Sequence, residues 1–240
     1  MIIAFSDLDD TLFSSPRSYE SVDSLAVAAT LSNGKASAYA SHAQSSLFSM
    51  ISAACVVIPV TGRRLESLNR VSYPFYGDKV ASHGAIIVDS KNNLHPEWKL
   101  VLDTEAKLWA PKIAALYTAV CEFIDKIGLT LRVRVVEDFG YPCYLCVKGG
   151  VEDLREITSN SVAPLGKEFF VHTSDRNIAF LPAYASKQRA VVYLKNKYQR
   201  ESKTSYMYLG LGDSISDLPF MSECDFQIMP SSSQILKINK

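Results

Sequence analysis

Residues 1–15 read MIIAFSDLDDTLFSS. The apolar run Met1–Phe5 has the length and composition of a buried strand, and it delivers Ser6, Asp7, Asp9, Asp10 and Thr11 in quick succession. Acids crowded at the mouth of a buried strand repel one another, so something cationic is expected among them. The question becomes what the rest of the chain brings to that strand end.

Outward from this start, apolar runs alternate with helical patterns. The spacing predicts a helix over Ala43–Ala53, a β-branched strand at Cys55–Val60, a short helix at Arg64–Val71 and a strand at Lys79–Ser82. A hairpin-like GAIIVDSKNNLHPEW follows. The rhythm then changes: a long amphipathic helix over Thr104–Ile127, two strands in LRVRVVEDFGYPCYLCVK joined by a Gly-Pro turn, and a helix at Val151–Ser159. FFVHTSDRNIAFLP reads as a second hairpin turning near Asp175–Asn177. A helix from Ser186, a strand at Ser205–Leu209, a helix near Ser214–Met221 and a strand at Asp225–Met229 close the chain. The ends therefore read as a doubly wound parallel α/β sheet, and the middle as an inserted α+β module. The expected division is 1–84 with 185–240 for the core and 85–184 for the insertion, each boundary to within about eight residues. Tyr19–Ser41, rich in Ser and Ala, reads as the least ordered stretch.

Composition narrows the partners. The 240 residues are 48% hydrophobic, and 25 Lys+Arg balance 25 Asp+Glu, so there is no basic surplus for nucleic acid or an anionic membrane. No apolar stretch approaches the roughly 20 residues that span a bilayer. With no basic, apolar leader at its start, the chain is expected in the cytoplasm. Five Cys, mostly in apolar runs, read as buried free thiols; Cys143 and Cys146 fall on opposite faces of one strand, which disfavours a shared metal.

In an open parallel sheet, ligands gather beyond the carboxyl ends of the strands. Asp7, Asp9 and Thr11 follow the first strand, Thr61, Gly62 and Arg63 the second, and Gly212, Asp213 and Asp217 the strand at Ser205–Leu209; Lys187 opens a helix. Each has a plainer reading taken alone: a helix cap, a turn acid, a surface lysine. Together, and in order, they place four acids in one crevice with hard oxygen donors and no His or Cys, which suits Mg²⁺. Lys187 sits in the first turn of its helix, where the dipole disfavours a cation, and so points to an anion nearby.

DLDDTL, VTGR, SK and GDSISD, in that order, resemble the four motifs of the haloacid-dehalogenase superfamily of phosphohydrolases. The long insertion between the second and third motifs resembles the branch with a large α/β cap, which includes Cof-type, sucrose-phosphate and mannosyl-3-phosphoglycerate phosphatases. The resemblance implies Asp7 as nucleophile and Asp9 as general acid/base, with Thr61 and Lys187 on the phosphoryl oxygens. It implies Mg²⁺ held by Asp7, Asp213, Asp217 and the backbone carbonyl of Asp9. The implied substrate is a small phosphorylated metabolite, a sugar or polyol phosphate, hydrolysed through an aspartyl-phosphate. Gly62, Arg63 and His83 lie close to the motifs as substrate contacts. Arg132 and Arg134, two apart in LRVRVV, share one strand face and are further candidates. Relatives commonly carry Asn at the positions of Ser216 and His83. A phosphomutase on the same scaffold and a phosphoacceptor signalling or binding module are the alternatives, and the sequence leaves the oligomeric state open.

Overall fold

A computed structural model describes residues 1–159, 167–174, 176–202 and 205–237. In chain order the elements begin with β1 (Ile2–Ser6), β2 (Ala26–Thr30), β3 (Ala36–Ala40), α1 (His42–Ala54), β4 (Val56–Pro59), α2 (Leu65–Leu68), β5 (Lys79–Ala81) and β6 (Ile86–Val88). They continue with α3 (Pro96–Ile127), β7 (Leu131–Asp138), β8 (Tyr141–Gly149), α4 (Val151–Ser159), β9 (Phe170–Ser174) and β10 (Asn177–Leu181). The last are α5 (Lys187–Glu201), β11 (Met207–Leu211), α6 (Leu218–Met221), β12 (Phe226–Ile228) and α7 (Gln234–Lys237). The chain divides into two compact units, Met1–Leu94 with Lys187–Lys240, and His95–Ser186.

The first unit is built on an all-parallel sheet in the order β12-β11-β1-β4. β1 lies between β11 and β4, with Ser6 in register with both Leu211 and Pro59. Three strands therefore end at one level, and the chain leaves each towards the same edge. Ile3, Ala4 and Phe5 are almost wholly buried, as a strand covered on both faces requires. β5 joins through a parallel bridge between Val60 and Val80, and β6 runs back against it. That pairing keeps Ile86–Val88 in the first unit, so the insertion begins later than residue 85. Pro96, expected within a hairpin, instead starts α3 in its first turn, where a missing N–H is no loss.

Tyr19–Ser41 is better ordered than its composition suggests. β2 and β3 form an antiparallel hairpin there, closed by Asn33, whose Oδ1 accepts from the Lys35 N–H, and by Gly34 at φ 79°. Ser14 and Tyr39 exchange backbone hydrogen bonds, and Ser72 N–H donates to Ala28, which ties the hairpin to neighbouring chain. Small Ala and Ser side chains hide the strand signal, but the backbone pairing does not depend on them.

The second unit is an antiparallel sheet in the order β7-β8-β10-β9. One face, with Leu145, Val147, Ile178 and Phe180, packs on Ile113, Leu116 and Val120 of α3. The β7–β8 turn is Phe139–Gly140, both at positive φ, while Pro142 lies inside β8 opposite Glu137 beside a bulge, not in the turn. Asp175, in the expected β9–β10 turn, lies outside the described residues. All five Cys are free thiols; Cys143 and Cys146 are buried, and Cys146 Sγ donates to Asn177 Oδ1 at 2.9 Å. Among the described residues no helix is long and apolar enough to cross a membrane.

Candidate active site

The strand register of the first unit explains why distant motifs meet. Asp7 N–H donates to Leu211 O at 2.8 Å and Val60 N–H to Ser6 O at 2.7 Å, so the segments 7–9, 61–63 and 212–217 leave adjacent strands side by side. Lys187 opens α5 beside them. Its Nζ lies 2.7 Å from Asp7 Oδ1 and 2.7 Å from Asp217 Oδ1, and all three side chains are largely sealed from solvent, at 12%, 8% and 0% exposure. One ammonium thus bridges two buried carboxylates. Asp213 completes the group: carboxylate oxygens of Asp7, Asp213 and Asp217 all lie within 4.8 Å of one another.

Asp217 is held from its other side as well. Its Oδ2 accepts from Ser214 Oγ at 2.7 Å, Ser214 N–H at 3.1 Å and Asp213 N–H at 3.3 Å. Ser214 is the N-cap of a capping box whose N3 residue is Asp217, so the turn that starts the short helix also aims the acid. Ser216 Oγ lies 2.8 Å from Ser214 Oγ and so helps to orient it. The approach of Asp217 leaves no room at Gly212, where a Cβ would sit 2.6 Å from that of Asp217. Thr11 Oγ1 donates to Asp213 Oδ1 at 3.4 Å.

The electrostatics follow from this crowding. Burial pushes Asp7 well above the ordinary carboxylate range; Lys187 pulls it down, but Asp217 and Asp9 push it up again. Burial, with Asp217 and Asp10, raises Asp213 to about 7. Burial also opposes ionisation of Asp217, yet Lys187 and the Ser214 bonds outweigh it and its pKa is lowered. Lys187 is disfavoured by burial too, but Asp217 and Asp7 more than compensate and hold it protonated. The cluster is short of positive charge. Three hard carboxylate oxygens with no thiolate or imidazole fit Mg²⁺.

Asp9 takes a different direction. Its two oxygens accept from Arg63, Oδ2 from Nε at 2.8 Å and Oδ1 from Nη2 at 2.7 Å. The guanidinium lies 4.9 Å from the centroid of the Phe13 ring. Burial acts against the charge on Arg63, and its bonds to Asp9 raise its pKa nonetheless. Thr61 is fully buried; its Oγ1 accepts from Arg63 N–H at 3.1 Å, and its carbonyl accepts from His83 N–H at 2.9 Å. Gly62 and His83 are in packing contact: a Cβ at Gly62 would lie 2.5 Å from His83 Cε1, and His83 itself sits at φ 58° with 9% exposure.

The geometry therefore joins Asp7, Lys187, Asp213 and Asp217 directly, and Thr61, Arg63 and Asp9 through one another. Arg132 and Arg134 lie in the second unit, exposed on one face of β7, with Arg132 in register with Lys148. The roles of Ser214 and Thr11 escape a motif reading. The S-x-x-D spacing of Ser214 and Asp217 is the signal that announces the first, while nothing in the sequence announces the contact between Thr11 and Asp213.

No family model matches the chain, and no curated protein matches it. Solved structures do. A trehalose-6-phosphate phosphatase related protein matches at TM-score 0.53 and 14% identity, over 95% of this chain and 85% of that one. The sucrose-phosphatase from Synechocystis, solved with sucrose and phosphate, matches at 0.52 and 15%, over 99% and 86%. A trehalose-6-phosphate phosphatase C-terminal domain from C. albicans matches at 0.54 and 14%, over 92% and 72%. These neighbours carry the names of phosphatases, and the chain shares their fold, a parallel-sheet core with an inserted α+β unit.

Proposed function

We propose that this protein is a Mg²⁺-dependent phosphatase that hydrolyses a small phosphate monoester, a sugar or polyol phosphate, through an aspartyl-phosphate on Asp7. The observation that carries the reading is the buried Lys187 ammonium shared by Asp7 and Asp217 at 2.7 Å, with Asp213 converging on the same point. A structural ion pair needs one acid; here one amine bridges two acids and a third lies against them, an arrangement that favours a further cation and an incoming anion together. The sugar-phosphate assignment draws support from neighbours of the same fold named for sucrose and trehalose 6-phosphate.

The chemistry divides among the chain's own residues. Asp7 Oδ attacks phosphorus in line as the bond to the ester oxygen breaks, and Asp9 gives its proton to the departing alcohol. Asp9 then accepts a proton from the water that attacks the aspartyl-phosphate, and Asp7 is released. The Thr61 hydroxyl and Lys187 hold phosphoryl oxygens, positioning being the larger part of catalysis in phosphoryl transfer. Asp213 and Asp217, with Asp7 and the main chain at Asp9, would hold Mg²⁺. The ion, when bound, supplies positive charge that offsets the acids and the phosphoryl oxygens.

The test is phosphate release from a panel of sugar and polyol phosphates, with and without Mg²⁺, for the native chain and Asp7→Asn. Mg²⁺-dependent release that the substitution abolishes is expected. Release that continues unchanged in Asp7→Asn would remove the nucleophile assignment.

A further inference from the structure

Arg63, two residues after Thr61, is expected from the motif to meet substrate. Its position in the structure suggests another task. The guanidinium is committed to Asp9 through two nearly equal hydrogen bonds of 2.8 and 2.7 Å. A two-pronged contact of this kind fixes both the position and the plane of a carboxylate, which a single bond does not. Asp9 is otherwise the least supported member of the site: its side chain is 51% exposed, against 16% for Arg63. The arginine is itself held from three sides. The Phe13 ring lies 4.9 Å from its guanidinium carbon, its N–H donates to Thr61 Oγ1, and its carbonyl accepts from Ser82 N–H at 2.7 Å.

We infer that Arg63 is a positioning residue for Asp9: it aims the acid/base carboxylate at the ester oxygen and does not bind the transferred phosphoryl group. This deepens the phosphatase reading and rests on it. The consequence is specific to one half of the reaction. When Asp7 Oδ bonds to phosphorus and the P–O ester bond breaks, the bonding electron pair leaves on the ester oxygen, which takes the Asp9 proton. A poor leaving group needs that proton; a good one departs without it. A misaimed Asp9 therefore penalises poor leaving groups selectively, whereas loss of a phosphoryl contact penalises all esters alike. The ratio kcat/KM isolates this step, because it reports events up to the first irreversible one and excludes hydrolysis of the aspartyl-phosphate.

The experiment compares phenyl, 4-nitrophenyl and 2,4-dinitrophenyl phosphates, which differ little in size and greatly in leaving-group acidity. It uses the full chain with Mg²⁺, as native protein and as Arg63→Ala, Arg63→Lys, Asp9→Asn and the Arg63→Ala/Asp9→Asn double variant. Misplacement by about 1 Å costs on the order of 100-fold in rate. We expect Arg63→Ala to lose roughly 10- to 100-fold on phenyl phosphate and far less on the dinitrophenyl ester. The Lys variant, able to make one bond but not two, should fall between. In the double variant the Arg63 change should have little further effect on the leaving-group slope. Equal losses on all three esters, or full additivity with Asp9→Asn, would overturn the inference while leaving the phosphatase reading intact. If the native chain hydrolysed none of these esters and none of the sugar phosphates, the phosphatase reading and the inference would fall together. Should Arg63→Ala fail to fold by circular dichroism, Arg63→Lys carries the same comparison.

Discussion

Replacing Lys187 with Met removes the ammonium that bridges the buried Asp7 and Asp217 while keeping the apolar stem. Each contact at 2.7 Å is worth about 6 kcal/mol gross at an effective dielectric near 20, so the two sum to roughly 12. Several kcal/mol of this is returned because the ammonium no longer has to be desolvated, and a carboxylate that takes up a proton limits the rest. A net loss of about 3–5 kcal/mol remains, the range for breaking a buried pair by removing one partner. In a unit of this size that lowers Tm by roughly 6–20 °C. The pH dependence carries the sharper signature. With Lys187 present, Asp217 has a lowered pKa, so its contribution is present above the unfolded carboxylate range and lost in acid. Removing Lys187 leaves burial, and for Asp7 its acidic neighbours, pushing against ionisation, so the variant should be least impaired near pH 5 and lose stability as pH rises. Thermal unfolding of native and Lys187→Met protein between pH 5 and 8 checks this, and Mg²⁺ should recover part of the loss. A deficit below 1 kcal/mol, or one that does not change with pH, would refute the claim that the amine compensates the acids.

Three further outcomes follow from the same geometry. Because Asp213 ionises only near pH 7, Mg²⁺ binding at pH 6 should release at least one proton, and affinity should rise about tenfold per pH unit below 7; calorimetry in buffers of different ionisation enthalpy measures both, and pH-independent affinity would contradict it. Ser214→Ala removes the 2.7 Å donor to Asp217 and the cap, so it should cost about 1–2 kcal/mol and weaken Mg²⁺ binding roughly tenfold, read by melting and metal titration. Gly62→Ala sets a Cβ against the His83 ring and should cost about 1–3 kcal/mol, most of it recovered in Gly62→Ala/His83→Ala, so additive losses would show that the contact is not the cause.

Much of the core was legible because its signals are local. A five-residue apolar strand ending in acids needs no partner to be recognised, and the same holds for the helix opened by Lys187. Parallel strands then force the segments after Ser6, Val60 and Leu211 to one edge, so the sequence order of motifs carries spatial information. What was not legible depends on pairing. β2 and β3 are mostly Ala, with one Val, Thr, Ser and Tyr between them and little alternation, and their backbone bonds reveal them. The hairpin expected at 84–98 forms only in part: Val88 bridges Leu94 antiparallel across a turn, but Ile86–Val88 takes its main pairing from Lys79–Ala81 and Pro96 starts a helix. Arg63 follows Thr61 by two positions, but its partner Asp9 lies 54 positions away, and no spacing rule connects the two.

The most direct test of the account is chemical capture at residue 7. Native protein mixed with a hydrolysed phosphate ester and Mg²⁺ is quenched in acid, reduced with borohydride and digested for mass spectrometry. An aspartyl-phosphate is reduced to homoserine, so homoserine at position 7 is the predicted result. Turnover with unmodified Asp7, or homoserine at another acid, would contradict it.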